Sequence, residues 1–288
     1  MATQRPKPPT VRLRRLAAEL RRLRSATELS REQVEAQTGI NEATLYRIEG
    51  AKARPQQRTL VALLDLYGVV EPQKSALIEL SRSAAGQGWS RPYLWQLPGE
   101  YAAYVAFEAE ARAVHNYESL FIPGLLHTPD YGSAMVRGVL PTATETAIGE
   151  RVETRAERQK LLEGPDALEF WAVFDEAAIR RVVGGRQVMA GQLDHVLTVA
   201  RRPNVTVQVI PFDAGAHPGM PGSFAHMEFR DEGDPELVYV DAQAGDIFLE
   251  ADDDVRRFKA MFDHLRASAL SAARSADLIR SVKEGLSE

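Results

Sequence analysis

Residues 29–55 read LSREQVEAQTGINEATLYRIEGAKARP, and this stretch decides the fold of the N-terminal part of the chain. Ser30 is followed three residues later by Gln33, which is the pattern of a capping box at the start of a helix. Gly39 permits the left-handed turn that ends such a helix, and Asn41 is a favourable N-cap for the next one. The stretch therefore predicts two short helices joined by a tight turn.

Apolar residues at helical spacing extend this pattern on both sides of the stretch. A basic amphipathic helix is predicted from Val11, and two more helices are predicted over 57–67 and 73–85. Each of the predicted helices has apolar residues on the face that points inward. In the second predicted helix of the opening stretch, these residues are Ile40, Leu45 and Ile48. We therefore expect an all-α bundle of five short helices over residues 11–88.

Charge is distributed unevenly along the 288 residues, whose net charge is −5. Residues 1–88, the head, carry fifteen Lys and Arg against nine Asp and Glu, a net charge of +6. Residues 89–288, the body, carry a net charge of −11. A basic head on an acidic body indicates that only the head meets phosphates, because a polyanion repels an acidic surface.

The body shows both helical and strand periodicity. Two apolar runs, 168–174 and 205–212, predict buried parallel strands because a helical stretch separates them, and 223–229 and 236–242 predict an antiparallel pair. Helices are expected at 101–114, 144–162, 176–183, 186–201, 255–269 and 275–284. The expected fold class is α+β, with the helical head followed by a larger domain in which helices flank a small mixed sheet.

These patterns divide the chain into a flexible arm at 1–10, the helical domain at 11–88 and the mixed domain at 89–288. The chain contains no apolar run of the roughly 18–20 residues that a membrane span needs, and its N-terminus lacks the apolar centre of a secretory signal. We therefore expect a cytoplasmic protein without a membrane partner. The chain has no cysteine, which excludes disulfides and thiolate chemistry.

No catalytic, cofactor-binding or metal-binding motif emerges from the body. Phosphate loops, dinucleotide fingerprints and nucleophile elbows are absent from the sequence, and no two histidines form an H-E-x-x-H pattern. His217 and His226 with Asp213 are the one cluster to consider for a metal. We expect no enzyme activity, no cofactor and no metal. Two places are candidates for a ligand or partner site. One consists of the aromatic residues Trp89 and Trp95, and the other lies at one end of the parallel strands and consists of Glu176, Arg180 and His217.

The opening stretch resembles the helix-turn-helix of the Cro/phage-repressor superfamily, also called xenobiotic-response-element-like regulators. The resemblance covers about residues 12–68 and includes the RIE sequence at 47–49 and Pro55. It implies that the second helix lies in the major groove of DNA. Glu28 and Ala51 depart from the family, which usually places a turn glycine at the first position and often at the second.

The resemblance also implies the roles of individual residues. Base contacts would come from Glu42, Ala43 and Arg47, with Thr44 and Tyr46 on the same element, and phosphate contacts from Arg31, Asn41, Lys52, Arg54 and amides at helix N-termini. Glu42 can equally stabilise the start of its own helix. Arg24 would pair with Glu49 and so lock the first helix to the reading helix.

The body, over about residues 89–280, resembles the domain attached to such heads in a large actinobacterial family that includes WhiJ-like and antitoxin-like regulators. The segments that carry this resemblance include NYESLFIPGLLHTPDY at 116–131 and NVTVQVIPFDAGAHPGMPGSFAHMEF at 204–229. It implies a small partner protein encoded nearby. We expect a homodimeric regulator on double-stranded DNA; the alternatives are an antitoxin-like protein that mainly binds its partner, or a metabolite-sensing or enzymatic body that controls the head.

Overall fold

The structure is a computed structural model that describes residues 10–84, 99–231, 233–242 and 245–286. The described residues fall into two compact units. Unit 1 comprises 10–84, 99–110, 229–231 and 233–235, and unit 2 comprises 111–228, 236–242 and 245–286. Three features expected from the sequence lie outside the described residues. They are residues 1–9 of the expected arm, the domain boundary near residue 88, and the pair Trp89 and Trp95.

Unit 1 is helical, and the five helices predicted for the head are present. The helices of this unit are α1 (Val11–Ala26), α2 (Arg31–Thr38), α3 (Glu42–Glu49), α4 (Gln57–Leu66), α5 (Gln73–Ser83) and α6 (Gly99–Glu110). One apolar core joins α1 to α5, and Leu20, Leu45, Leu60 and Leu63 are fully buried in it. Burial of this apolar stripe stabilises helices that are too short to persist alone.

The predicted helix boundaries around the turn are confirmed. Ser30 Oγ accepts a hydrogen bond from the Gln33 amide at 3.1 Å, and the Gln33 side chain accepts one from the Ser30 amide at 2.8 Å. Gly39 ends α2 in the left-handed conformation, with φ of 71°. The Asn41 side chain then caps α3 by accepting from the Ala43 amide at 3.0 Å. The two helices are therefore held in a fixed register by local hydrogen bonds.

Unit 2 is built around a mixed sheet of six strands in the order β3-β2-β1-β4-β5-β6. The strands are β1 (Ala111–Glu118), β2 (Glu169–Asp175), β3 (Val205–Ile210), β4 (Phe224–Phe229), β5 (Leu237–Val240) and β6 (Ile247–Leu249). Strands β1, β2 and β3 pair in parallel, whereas β4, β5 and β6 pair antiparallel. The expected α+β class and mixed sheet are confirmed.

Two strands were not predicted, and one of them lies inside the sheet. The helix expected over 101–114 ends at Glu110, and Ala111–Glu118 forms β1. The Ala-rich start of this segment favours a helix locally. Pairing with β2, in which Val114 lies opposite Phe170, overrides that preference and buries the strand. The short strand β6 at the edge of the sheet was also missed.

Helices cover this sheet. Those of unit 2 are α7 (Pro129–Val139), α8 (Glu145–Gln159), α9 (Glu176–Arg180), α10 (Arg186–Val199), α11 (Asp252–Ser268) and α12 (Ala272–Glu284). Helix α11 packs Val255, Phe262 and Leu265 against a sheet face that includes Tyr117 and Val173. In the part of the chain that the structure describes, no helix has the length and apolar character needed to cross a membrane.

Candidate nucleic-acid interface

Helix α3 has a buried face and an exposed face. Leu45 and Ile48 are buried in the core of unit 1, and Ile40 packs against it. The opposite face exposes the residues that the sequence assigns to DNA, namely Asn41, Glu42, Ala43, Thr44, Tyr46 and Arg47. A helix of 3.6 residues per turn separates these two sets because inward positions recur every three to four residues. The local sequence thus presents one continuous polar surface.

A buried carboxylate fixes the position of α3. Glu49 is 1% exposed and accepts from Arg24 at two atoms, Nε to Oε1 at 2.6 Å and Nη2 to Oε2 at 3.2 Å. Arg24 also donates to the Leu29 carbonyl at 2.8 Å. Its hydrogen bond to the Glu49 carboxylate raises the pKa of Arg24 above its usual value. The two arginine bonds offset the loss of hydration of the carboxylate, so α1 and α3 are joined by a paired buried charge.

Arg31, assigned to phosphate from the sequence, takes part in the same cluster. Its Nε donates to Glu49 Oε2 at 2.8 Å, and its guanidinium lies over the Tyr46 ring, 5.5 Å from the centroid. About a third of its side chain stays exposed, at 33%. Arg31 therefore has a structural contact on one edge and can present only its remaining donors to a phosphate. Sequence spacing gives no sign of this contact because it joins two separate helices.

The N-terminus of α3 is occupied by a side chain of the protein. Glu35 Oε2 accepts from the Glu42 amide at 2.8 Å, and Glu35 Oε1 accepts from the Asn41 side chain at 3.3 Å. A carboxylate at this point satisfies amides that would otherwise attract an anion. The amide of Glu42 is therefore not free to bind a DNA phosphate.

The two basic residues that follow α3 differ in their surroundings. Lys52 is exposed, and its ammonium lies 5.1 Å from the centroid of the Tyr46 ring, a cation–π distance. Arg54 donates to the Ser81 carbonyl at 3.2 Å, at the end of α5. Within the described residues, the Arg47 side chain has neither a hydrogen bond nor an ion pair. Arg47 is thus the exposed guanidinium of α3 that is available for a partner.

The two departures from the resembled family adopt the conformation that glycine favours. Glu28 has φ of 57° and Ala51 has φ of 53°. A residue with a Cβ is strained in this left-handed region by about 1–2 kcal/mol. The backbone thus keeps both turns although neither position is glycine.

In unit 2, the structure brings Glu176 and His217 to the carboxyl ends of β2 and β3. Glu176 accepts from Arg180 Nε at 2.5 Å and from the Phe212 amide at 2.8 Å. His217 Nε2 lies 3.2 Å from a carboxylate oxygen of Asp175, a residue that is not part of the site expected from the sequence. Both oxygens of Glu176 are therefore engaged within the unit. These contacts attach the ends of two strands to each other and to the following loop.

That loop lies close to a buried aromatic ring. A Cβ added at Gly219 would lie 2.3 Å from a ring carbon of Tyr117. His217 also packs edge-on against Tyr117, with a centroid distance of 6.0 Å. His226, which the sequence groups with His217 and Asp213, instead has Nδ1 3.4 Å from Nδ1 of His115.

Two family models match the chain. One is described as a helix-turn-helix domain and matches residues 15–77, which supports a helix-turn-helix DNA-binding regulator. The other is described as a domain of unknown function (DUF5753) and matches residues 101–281. No curated protein and no solved structure is similar enough to this chain to count as a match. Because the second model covers more than half of the chain, the protein belongs to the DUF5753 family, and it carries a helix-turn-helix domain N-terminal to that region.

Proposed function

We propose that the protein is a sequence-specific transcriptional regulator of the Cro/repressor type that inserts α3 into the major groove of DNA. The observation that carries this proposal is the exposed face of α3 in a matched helix-turn-helix domain, with Arg47 in the last turn of the helix. The major groove presents a distinct pattern of donors and acceptors for each base pair, so a helix placed there can read sequence.

Arg47 is the base-reading residue in this proposal. Its guanidinium has the fork geometry that bonds guanine O6 and N7 together. Glu42 can accept from a cytosine amino group, and Ala43 can pack on a thymine methyl group. Lys52 supplies a phosphate contact from the residues after α3. With one acidic and one small residue beside Arg47, part of the specificity comes from DNA shape.

The proposed active form is a homodimer. One small module makes few base contacts, and two modules on half-sites about 10–10.5 base pairs apart multiply the affinity. The body then modulates binding through a small partner protein or a ligand, as its resemblance to WhiJ-like and antitoxin-like regulators supports. Operator affinity measured with and without a co-expressed small protein from a neighbouring gene tests this modulation.

The direct test uses DNA selected from a random pool by the full chain, followed by binding measurements with Arg47→Ala. Losing a bidentate base contact should weaken binding to the selected sequence by about 1–3 kcal/mol and leave binding to scrambled DNA nearly unchanged. Arg82→Ala is the matched control because it removes the same charge from an exposed position on α5.

Two results would count against the proposal. Equal affinity of both variants for the selected sequence would remove the base-reading role of Arg47. Failure of the unmodified chain to bind any duplex at about 50 mM salt, where phosphate contacts are strong, would remove the DNA-binding function itself.

A further inference from the structure

Unit 2 contains a cluster of metal-ligating side chains that is separate from the candidate nucleic-acid interface. His115 on β1, and His226 and Glu228 on β4, each offer one nitrogen or oxygen atom, and these three atoms lie within 4.8 Å of one another. Residues two apart on a strand share a face, and neighbouring strands bring these faces together. The sheet therefore creates a set of two imidazoles and one carboxylate.

The distance between the two imidazoles fits a metal ion. His115 Nδ1 and His226 Nδ1 are 3.4 Å apart. Two ligands about 2.0–2.1 Å from a tetrahedral zinc ion are themselves about 3.3–3.4 Å apart. A direct hydrogen bond between the rings is the alternative, but 3.4 Å exceeds the usual range of about 2.7–3.2 Å for an N–H donor.

The surroundings orient His226 as a ligand. Its other nitrogen, Nε2, lies 2.7 Å from Glu236 Oε2, and Lys259 donates to both oxygens of Glu236 at 2.9 Å. Because Glu236 only accepts when ionised, Nε2 carries the proton and Nδ1 keeps its lone pair. A carboxylate that holds the second nitrogen of a ligating histidine is the usual supporting contact of metal sites.

His115 is held by packing. Its ring stacks on Phe262 of α11 with a centroid distance of 5.1 Å and meets Trp171 edge-on at 6.5 Å. Aromatic walls around an ion limit the access of water.

Glu228 already has cationic neighbours. Arg112 donates to its Oε2, and Lys259 Nζ lies 3.8 Å from its Oε1. Coordination through Oε1 keeps the bond from Arg112 to Oε2 and competes with the longer Lys259 contact. The set of ligands then resembles the open zinc sites in which three protein ligands leave a fourth position for water or a small ligand.

We propose that His115, His226 and Glu228 form a binding site for one divalent transition-metal ion of the zinc type. Two imidazoles and one carboxylate favour zinc over magnesium or calcium, which prefer oxygen ligands. The site belongs to unit 2 and is independent of the function proposed for α3.

Calorimetric titration of the tag-free, chelator-treated full chain with Zn²⁺ tests this site, and Co²⁺ absorption reports the coordination geometry. We expect one ion per chain and the intense visible bands of tetrahedral Co²⁺. His115→Phe, which keeps a ring against Phe262, and Glu228→Gln should each weaken Zn²⁺ binding strongly. Glu236→Gln, which leaves all three ligands in place, should weaken it by about 10–100-fold.

His264→Ala is the matched control because it removes an exposed histidine of α11 outside the cluster, and it should bind Zn²⁺ as the unmodified chain does. Circular dichroism melts without metal show whether each variant folds. If His115→Phe does not fold, the Zn²⁺ affinity of Glu228→Gln is the measurement that tests the site. The proposal is overturned if the unmodified chain binds no Zn²⁺, if Glu228→Gln binds it with unchanged affinity, or if His264→Ala abolishes binding.

Discussion

At the scale of single residues, Glu49 determines how the exposed face of α3 is held. Its buried carboxylate contacts Arg24 of α1 and Arg31 of α2. The resemblance of residues 29–55 anticipated the contact with Arg24. It did not anticipate the contact with Arg31, because nothing in helical spacing tells which side of a guanidinium faces a neighbouring helix. Arg31 was therefore assigned to phosphate alone.

Arg24→Met is expected to destabilise unit 1 by about 3 kcal/mol, because it leaves a buried carboxylate with one of its two partners. Urea denaturation followed by far-UV circular dichroism measures this loss. Arg21→Met changes an exposed arginine of the same helix and should shift the free energy of unfolding by less than about 0.5 kcal/mol. Similar effects of the two substitutions would contradict the role given to Glu49.

At the scale of elements, the turn between α1 and α2 is formed without a glycine. The sequence showed that Glu28 departs from the resembled family, and the structure shows φ of 57° at this residue. The turn survives because Leu29 and Val34 on either side of the cap pack against the common core. The turn between α1 and α2 therefore forms although the glycine that the resembled family usually places there is missing.

Glu28→Gly is expected to stabilise unit 1 by up to about 1 kcal/mol, because glycine adopts positive φ without steric strain, although it is more flexible in the unfolded chain. A thermal melt measures the change as a higher Tm. Ala36→Gly, at an exposed position inside α2, should lower the Tm, since glycine in a helix interior costs about 1 kcal/mol. A lower Tm for Glu28→Gly would show that the turn is not strained.

The strand β1 shows where sequence reasoning fails at this scale. A helix over 101–114 agreed with the local alanines, but the C-terminal part of that segment pairs with β2. Whether this part becomes a helix or a strand depends on a pairing strand that is distant in the sequence, and a local pattern gives no information about that strand. Because no strand was predicted after this helix, His115 was not placed on one sheet face with His226 and Glu228.

Glu118, the last residue of β1, provides a pH test of this region. Burial of its carboxylate raises the pKa of Glu118 to about 8. Hydrogen bonds to Ser223 and Asn116 lower the pKa, but their effect is smaller than that of burial. In the unfolded chain Glu118 ionises near pH 4.5, so the unfolded state loses its proton first as the pH rises. This group therefore favours the folded state below about pH 4.5, and its contribution declines until about pH 8.

Glu118→Gln should remove this decline and make unit 2 relatively more stable at pH 8 than at pH 5, compared with the unmodified chain. Urea denaturation at both pH values measures the difference. Glu153→Gln, at an exposed position of α8, is the control and should leave the pH dependence as it is. An unchanged profile in Glu118→Gln would show that the carboxylate ionises normally.

At the scale of the whole molecule, the sequence separated a helical head from a mixed α/β body, and the structure confirms that fold class. Periodicity sufficed for the head because each α-helix forms its backbone hydrogen bonds within its own segment. In the body it identified β2 to β5 but not the order of the strands, which depends on long-range pairing. The outward face of α3 was predicted, whereas the contacts of Glu35 and Arg54 with other helices were not.

If α3 reads the major groove through Arg47, the guanines that Arg47 contacts are protected from methylation in a selected DNA site. Dimethyl sulfate modifies guanine N7, which lies in the major groove. We predict that the full chain protects a guanine in each half-site and that Arg47→Ala loses this protection while Arg82→Ala keeps it. Protection that persists in Arg47→Ala, or its absence from the unmodified complex, would show that Arg47 does not contact guanine in the major groove.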